Sequence, residues 1–137
     1  MARDIVHEII REVLVNEGWI ITQDPYVLKD YDPDWEIDFG AEKIIAAEKG
    51  PEKIAVEAKS YLGLSFAYEF HQILGQHLNY RSGLNRLEPD RTLYLAVPRE
   101  VFDLEFNRIG ISNSIEDYHL RYFIFNELTK TIIQWKH

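Results

Sequence analysis

The stretch TLYLAV, residues 92–97, constrains the fold of this chain most strongly. The run has the length of a strand and is almost entirely apolar, and Pro98 ends it because proline cannot donate a ladder hydrogen bond. A strand without an alternating polar face is typical of a sheet that is covered on both sides. The run therefore predicts a buried central strand.

The spacing of apolar residues predicts three helical segments. Residues 2–17 and 66–85 place apolar side chains at steps of three and four, as amphipathic helices do. Ser65 suits the N-cap of the second helix. Residues 99–118 are predicted to be helical but interrupted around Gly110. The apolar side of the second helix comprises Phe66, Phe70, Ile73, Leu74, Leu78 and Leu84.

The remaining apolar runs predict strands. Prolines and aspartates throughout residues 24–36 indicate a loop, and residues 49–52 a hairpin turn. The predicted strands are 19–22, 37–48, 53–61, 92–97, 121–126 and 131–135. The resulting order, α-β-β-β-α-β-α-β-β, predicts an α/β or α+β sandwich with a mixed sheet and a C-terminal β-hairpin.

Composition bounds the class of protein. A length of 137 residues, 46% hydrophobic and 28% charged, predicts a single folded domain over residues 1–137. The absence of cysteine excludes disulfides and thiolate metal sites. No apolar run approaches the ~18 residues of a membrane span, and the charged N-terminal segment is unlike a signal peptide, so we expect a cytoplasmic protein.

The net charge of −8 argues against avid nonspecific DNA binding, which depends on Lys and Arg. It does not exclude a nuclease, because a carboxylate cluster that holds a divalent ion is itself negative until the ion binds. The sequence contains no phosphate-binding glycine loop, no dinucleotide-binding motif and no HExxH zinc motif. Nucleotide-dependent and zinc-protease chemistry therefore have no support.

Two residues of the segment KIAVEAKSY, 53–61, indicate a metal-binding or catalytic site. Because side chains alternate along a strand, Glu57 and Lys59 share one face. Asp38 lies near the start of the preceding strand. Two carboxylates with a lysine at a strand edge are able to hold Mg²⁺ and to polarise an attacking water. The pattern alone is weak, since such triplets also arise by chance in acidic proteins.

The partner carboxylate of Glu57 depends on the register of the hairpin. A regular ladder with its turn centred in residues 49–52 places Glu57 opposite Ile44. Asp38 would then lie about 20 Å away, at about 3.3 Å per residue, and Glu42 would be the nearer carboxylate. Asp38 reaches Glu57 only if the first strand bends or bulges.

Further candidates lie around these residues. Glu48, beside the turn, is a third possible carboxylate, and Glu8 or His7 on the first helix would add a metal ligand. Gln76 and Tyr80 are i, i+4 neighbours, so they share one face of the second helix and would flank the site if that helix packs against the strand. A solvated helix face is the competing interpretation of these helical residues.

The pattern D38…E57-A-K59 followed by Q76-H-L-N-Y80 resembles the PD-(D/E)XK nuclease superfamily in its RecB-like and Holliday-resolvase-like branch. Longer stretches resemble the XisH family, the fdxN-element excision controlling factors of cyanobacteria. These stretches are ARDIVHE, GWIITQDP, IDFGAEKIIAAEKG, KIAVEAKSYLG, EFH, LGQHLNYR and EPDRTLYLAVP, with a further match at IIQW. The resemblance is weakest over residues 99–131.

The superfamily resemblance implies a restriction-endonuclease-like αβββαβ core and a Mg²⁺ or Mn²⁺ site. It implies that Asp38 and Glu57 bind the ion, and Glu8 on the first helix is a further candidate ligand. The XisH resemblance implies control of DNA-element excision beside a site-specific recombinase and a small XisI-like companion. The resemblance leaves open whether the protein forms a homodimer. The catalytic residues implied are Asp38, Glu57, Lys59, Gln76 and Tyr80.

These observations leave three hypotheses. The first is a Mg²⁺-dependent DNA-cleaving or DNA-processing protein that supports element excision. The second is a non-catalytic regulatory or architectural module that uses the nuclease fold to contact DNA or a partner. The third is a purely structural oligomerisation domain. The acidic charge favours the second, whereas the intact E-x-K and Q-x-x-x-Y patterns favour the first.

Overall fold

The structure, a computed structural model, describes residues 2–29, 31–46, 50–59, 61 and 65–137, and for 2–4, 42–46 and 50 the backbone alone. The chain is a mixed α/β protein. Its elements are α1 (Ala2–Asn16), β1 (Ile20–Gln23), β2 (Tyr26–Leu28), β3 (Trp35–Ile37), β4 (Phe39–Ala46), β5 (Gly50–Ala58), α2 (Phe66–Leu87), β6 (Arg91–Pro98), α3 (Arg99–Glu105), α4 (Ile109–Asp117), β7 (Tyr122–Asn126) and β8 (Thr131–Lys136).

A mixed sheet forms the centre of the fold. Within the described part of the chain, six strands pair in the order β1-β4-β5-β6-β7-β8, and β2 pairs with β3 in a separate two-stranded sheet. The β5–β6 and β6–β7 pairs are parallel, and the other pairs are antiparallel. Every residue of β6 except Thr92 is buried. The prediction of a buried central strand from TLYLAV is confirmed.

Helices cover both faces of this sheet. Tyr94 and Ala96 of β6 pack in the cluster that contains the buried face of α1. Leu95 and Val97, which alternate with them, pack in the opposite cluster with residues of α2 and α4. Strand alternation therefore divides the apolar run between two core layers. The predicted α/β sandwich and the C-terminal hairpin, β7–β8, are confirmed.

The helix α2 closely follows its predicted course. The hydroxyl oxygen of Ser65 accepts a hydrogen bond from the Tyr68 N–H at 3.3 Å, which caps the first turn. The helix continues to Leu87, two residues beyond the predicted end. Of the predicted apolar side, Phe70, Ile73 and Leu84 are buried, whereas Phe66, Leu74 and Leu78 are partly buried.

Three local predictions are wrong. The predicted loop 24–36 contains β2 and the start of β3 because Tyr26, Leu28 and Ile37 bury apolar side chains against Leu84 of α2. The predicted interruption of the helix in 99–118 is confirmed, but it falls between Glu105 and Ile109, so its predicted position around Gly110, which lies inside α4, is wrong. Phe106 lies at the break and is buried, so core packing decides the position of the break.

The third wrong prediction concerns the hairpin turn. Gly50, Pro51 and Glu52, which were predicted to turn, belong to β5, and Ala46 pairs directly with Gly50. None of the helices in the described ranges has the length and apolar character that a membrane span requires.

Candidate functional site

The register of the β4–β5 hairpin brings Asp38 to Glu57. Phe39 pairs with Val56, so the residue before Phe39 stands across from the residue after Val56. The register predicted from a turn at 49–52 is therefore wrong, since Ile44 pairs with Pro51 rather than with Glu57. The separation of about 20 Å between Asp38 and Glu57 was derived from that register, so it is also wrong.

A hydrogen bond fixes the Asp38 carboxylate at the end of β5. Asp38 lies between β3 and β4, and its Oδ2 accepts from the Ala58 N–H at 2.8 Å. Glu42 pairs with Lys53, about 13 Å back along β5 from Glu57 at about 3.3 Å per residue. Asp38 is thus the carboxylate beside Glu57, and the register irregularity between β4 and β5 lies between Ile44 and Ala46. Glu48 lies outside the described residues.

Glu57 and Lys59 stand close together at this end of β5. Glu57 is 8% exposed, and Lys59 Nζ lies 3.9 Å from Glu57 Oε1. The amine and the carboxylate therefore form a partly buried pair rather than a solvated surface feature. At this distance the pair is an electrostatic contact, longer than a hydrogen bond.

One face of α2 closes the site. A cavity of about 470 Å³ is lined by residues of β3, β5 and α2 together with Asp38. Tyr80 also packs against Trp35, with ring centroids 6.0 Å apart. The five residues predicted as catalytic thus surround one cavity, and their chemical roles stay predictions. The lining residues are Glu36, Asp38, Glu57, Ala58, Lys59, Gln76 and Tyr80.

A second cavity continues from the first along α2. It measures about 410 Å³ and is lined by Glu69, Gln72 and Ile73 together with Lys59 and Gln76, which also line the first cavity. Lys59 therefore stands where the two cavities meet.

Tyr61 stabilises the chain just beyond Lys59. Its hydroxyl donates to the Ala96 carbonyl at 3.2 Å. Burial, and then the carboxylates of Glu57 and Glu69, raise the pKa of Tyr61 far above its usual range. The phenol therefore stays neutral and serves as a hydrogen-bond donor to β6.

Comparison with known proteins identifies the family. Residues 1–133 match the model of the XisH protein family. The chain belongs to the XisH family. The match includes residues 99–131, the segment in which the sequence resemblance is weakest.

Two solved structures resemble this XisH-family chain over nearly all of its length. An XisH family protein from Nostoc punctiforme PCC 73102 is 34% identical, with a TM-score of 0.88 over 98% of this chain and 100% of the other. An fdxN element excision controlling factor protein from Anabaena variabilis is also 34% identical, with a TM-score of 0.89 and the same coverage. No curated protein matches the sequence.

Asp38 and Glu57 of this XisH-family site are oxygen ligands of the type that Mg²⁺ takes, and binding of the ion stays a prediction. Within the described residues, no three His, Asp or Glu side chains form a group able to hold a metal. Asp38 and Glu57 supply two carboxylates, and Mg²⁺ usually takes one or two carboxylates while keeping waters and binding substrate phosphates. Glu8, predicted as a further ligand, is exposed and does not line the cavity. His7 does not line the cavity either, but its Nδ1 lies 3.6 Å from Asp38 Oδ1.

Sequence reasoning did not identify Glu36 as a lining residue. It lies on β3, exposed, at the rim of the cavity. The signal was present, because Glu36 and Asp38 are two residues apart and residues at that spacing share a face of an extended chain. Interpreting residues 24–36 as a loop hid this spacing.

Proposed function

We propose that this XisH-family chain is a Mg²⁺-dependent DNA-cleaving or DNA-processing protein of the PD-(D/E)XK type that supports excision of a DNA element. The carrying observation is that Asp38, Glu57, Lys59, Gln76 and Tyr80 line one cavity. Asp38 precedes β4, Glu57 and Lys59 lie at the end of β5 and just beyond it, and the other two residues lie on α2. Proximity along the chain therefore does not account for their meeting. The relative from Anabaena variabilis is named for fdxN element excision.

Each residue has a role that its position supports. Asp38 and Glu57 would hold the Mg²⁺ or Mn²⁺ ion, which when bound supplies an acidified water and neutralises phosphate charge. Lys59, 3.9 Å from Glu57, would stabilise negative charge as it develops on the phosphate. Gln76 and Tyr80 would position the DNA backbone from the α2 side.

The proposed setting follows from the family. The substrate would be DNA, and the partners would be an XisI-like companion and a site-specific recombinase. Formation of a homodimer stays a prediction. Such a protein would act in the cytoplasm. The net charge of −8 means that divalent ions must offset repulsion between the protein and the phosphates.

The test compares two lysines of the same strand region. Lys59→Ala should lower Mg²⁺-dependent cleavage of branched or nicked DNA by about 10²- to 10³-fold, because it removes a charged donor that acts in the transition state. Lys53→Ala is the matched control. Lys53 has similar side-chain exposure but lies about 13 Å back along β5 from Glu57, where its Nζ is 3.5 Å from Asp90 Oδ2. Cleavage is measured with labelled substrates, and DNA binding by gel shift should change little in either variant.

A second candidate is the non-catalytic regulatory or architectural module. The acidic charge of the chain and of Glu36 at the cavity rim favours it. It predicts no cleavage by the wild-type protein with Mg²⁺ or Mn²⁺, and normal element excision in cells when Glu57 and Lys59 are both replaced. Those two results together would refute the catalytic proposal.

A further inference from the structure

The imidazole of His7 lies between two carboxylates from different parts of the chain. Its Nε2 is 2.9 Å from Asp24 Oδ1, and its Nδ1 is 3.6 Å from Asp38 Oδ1. Asp24 belongs to the connection between β1 and β2, whereas Asp38 precedes β4. As a hydrogen bond, the contact with Asp24 requires the hydrogen on Nε2, because an ionised carboxylate only accepts.

Two further contacts hold this arrangement in place. Arg11, one helical turn after His7, binds the second oxygen of Asp24. The His7 ring stacks on Phe39, with centroids 4.2 Å apart. The side chains of His7 and Asp24 are 26% and 21% exposed, although Asp24 as a whole residue is exposed. The His7 ring therefore has three defined neighbours, which are Asp24, Asp38 and Phe39.

These contacts bring the His7 ring next to the carboxylate of Asp38. Its Oδ2 is engaged by the Ala58 N–H at 2.8 Å, and the His7 ring stands beside Oδ1. Both oxygens of the candidate metal-binding carboxylate thus have a defined neighbour. Neither Asp24 nor Arg11 lines the cavity, and His7 is the residue that contacts both Asp24 and Asp38.

We propose that Asp24 and Arg11 are positioning residues that hold the His7 imidazole against Asp38 and thereby set the position of Asp38 for a divalent cation. The inference rests on the proposed function, since it assumes that Asp38 binds the ion. Groups that orient a metal ligand typically contribute 10- to 100-fold in metal affinity. The arrangement therefore predicts a measurable effect on ion binding, apart from any effect on DNA cleavage.

The experiment measures Mn²⁺ affinity of the intact protein by isothermal titration calorimetry at one pH. Asp24→Asn should weaken Mn²⁺ binding about 10-fold, because the amide keeps the shape but removes the charge that binds Arg11. Asp103→Asn is the matched control, since Asp103 faces Arg99 at 3.7 Å on α3 and does not line the cavity. Its Mn²⁺ affinity should equal that of the wild type. Equal affinity of Asp24→Asn and wild type would overturn the inference.

A double-mutant cycle tests whether Asp24 acts through His7. His7→Phe keeps an aromatic ring to stack on Phe39 but removes both nitrogens. In that background Asp24→Asn should have no further effect on Mn²⁺ affinity, since the connection is already lost. An undiminished 10-fold loss would overturn the inference. If Asp24→Asn folds poorly, Arg11→Gln tests the same connection from its other end, with weaker Mn²⁺ binding expected and unchanged binding refuting it.

Asp38→Asn separates this inference from the proposed function. Loss of Mn²⁺ binding in Asp38→Asn with normal binding in Asp24→Asn would overturn the positioning role alone. Identical Mn²⁺ binding by wild type and Asp38→Asn would overturn the proposed metal site, and the positioning role with it. Thermal unfolding of each variant, recorded without metal, shows that differences in affinity do not arise from unfolded protein.

Discussion

Replacing the buried histidine of α2, His77→Leu, should make the stability of the protein less dependent on pH. His77 is 4% exposed, and among the described residues its Nε2 has no hydrogen-bond partner. Burial, reinforced by the charges of Arg81 and Arg121, lowers the pKa of His77 to about 3. The folded protein therefore keeps this imidazole neutral at pH values where the unfolded chain protonates it.

The sign and size of the effect follow from proton linkage. Between the unfolded pKa of 6.5 and the folded pKa of about 3, the unfolded state binds one more proton than the folded state. The contribution of His77 to stability is thus fully present above the unfolded pKa and is lost as the pH falls toward the folded pKa. Linkage gives a loss of about 3 kcal/mol between pH 7 and pH 4, with a slope of up to about 1.4 kcal/mol per pH unit.

Leucine does not titrate, so the variant should lack this loss. At pH 7 we expect similar stability, because a buried polar atom without a partner is replaced by an apolar group of comparable size. Urea unfolding of wild type and His77→Leu at several pH values measures the difference between the two curves. His71→Leu, on the exposed side of the same helix, is the control for removing a histidine. Parallel curves for wild type and His77→Leu would refute the reasoning.

Two further predictions use matched pairs. Gly40→Ala should destabilise the protein by about 1–3 kcal/mol, because the added Cβ would lie 2.8 Å from the ring of Tyr26. Gly75→Ala, where a Cβ meets nothing within 4 Å, should stabilise α2 by about 0.5–1 kcal/mol, and equal denaturation midpoints for the two variants would contradict the packing argument. Ser65→Ala should cost about 1 kcal/mol by removing the N-cap of α2. Ser82→Ala, exposed inside the same helix, should change the unfolding free energy by less than about 0.5 kcal/mol, and an equal loss in both would argue against capping.

Local patterns in the sequence are sufficient for the main elements. The spacing of apolar residues places α1 and α2, and TLYLAV marks the central strand β6. These predictions succeed because helical and extended periodicity are properties of neighbouring residues. They fail where distant residues decide, as at Phe106, whose place in the core separates α3 from α4.

The sequence likewise predicts only part of the candidate site. Strand alternation pairs Glu57 with Lys59, and helical spacing pairs Gln76 with Tyr80, so both pairs follow from the sequence alone. The sequence leaves open whether Asp38 or Glu42 accompanies Glu57, because a hairpin register depends on where the turn falls, and the pattern of β4 does not specify it.

Only the tertiary structure decided the remaining contacts. The register of β4 on β5 placed Asp38 where its carboxylate accepts from Ala58, and the packing of α1 on the sheet brought His7 and Asp24 together. His7 and Asp24 are separated by 17 residues and follow no shared period. Their contact depends on how a helix docks against a sheet, and that is determined by the whole core rather than by any stretch of sequence.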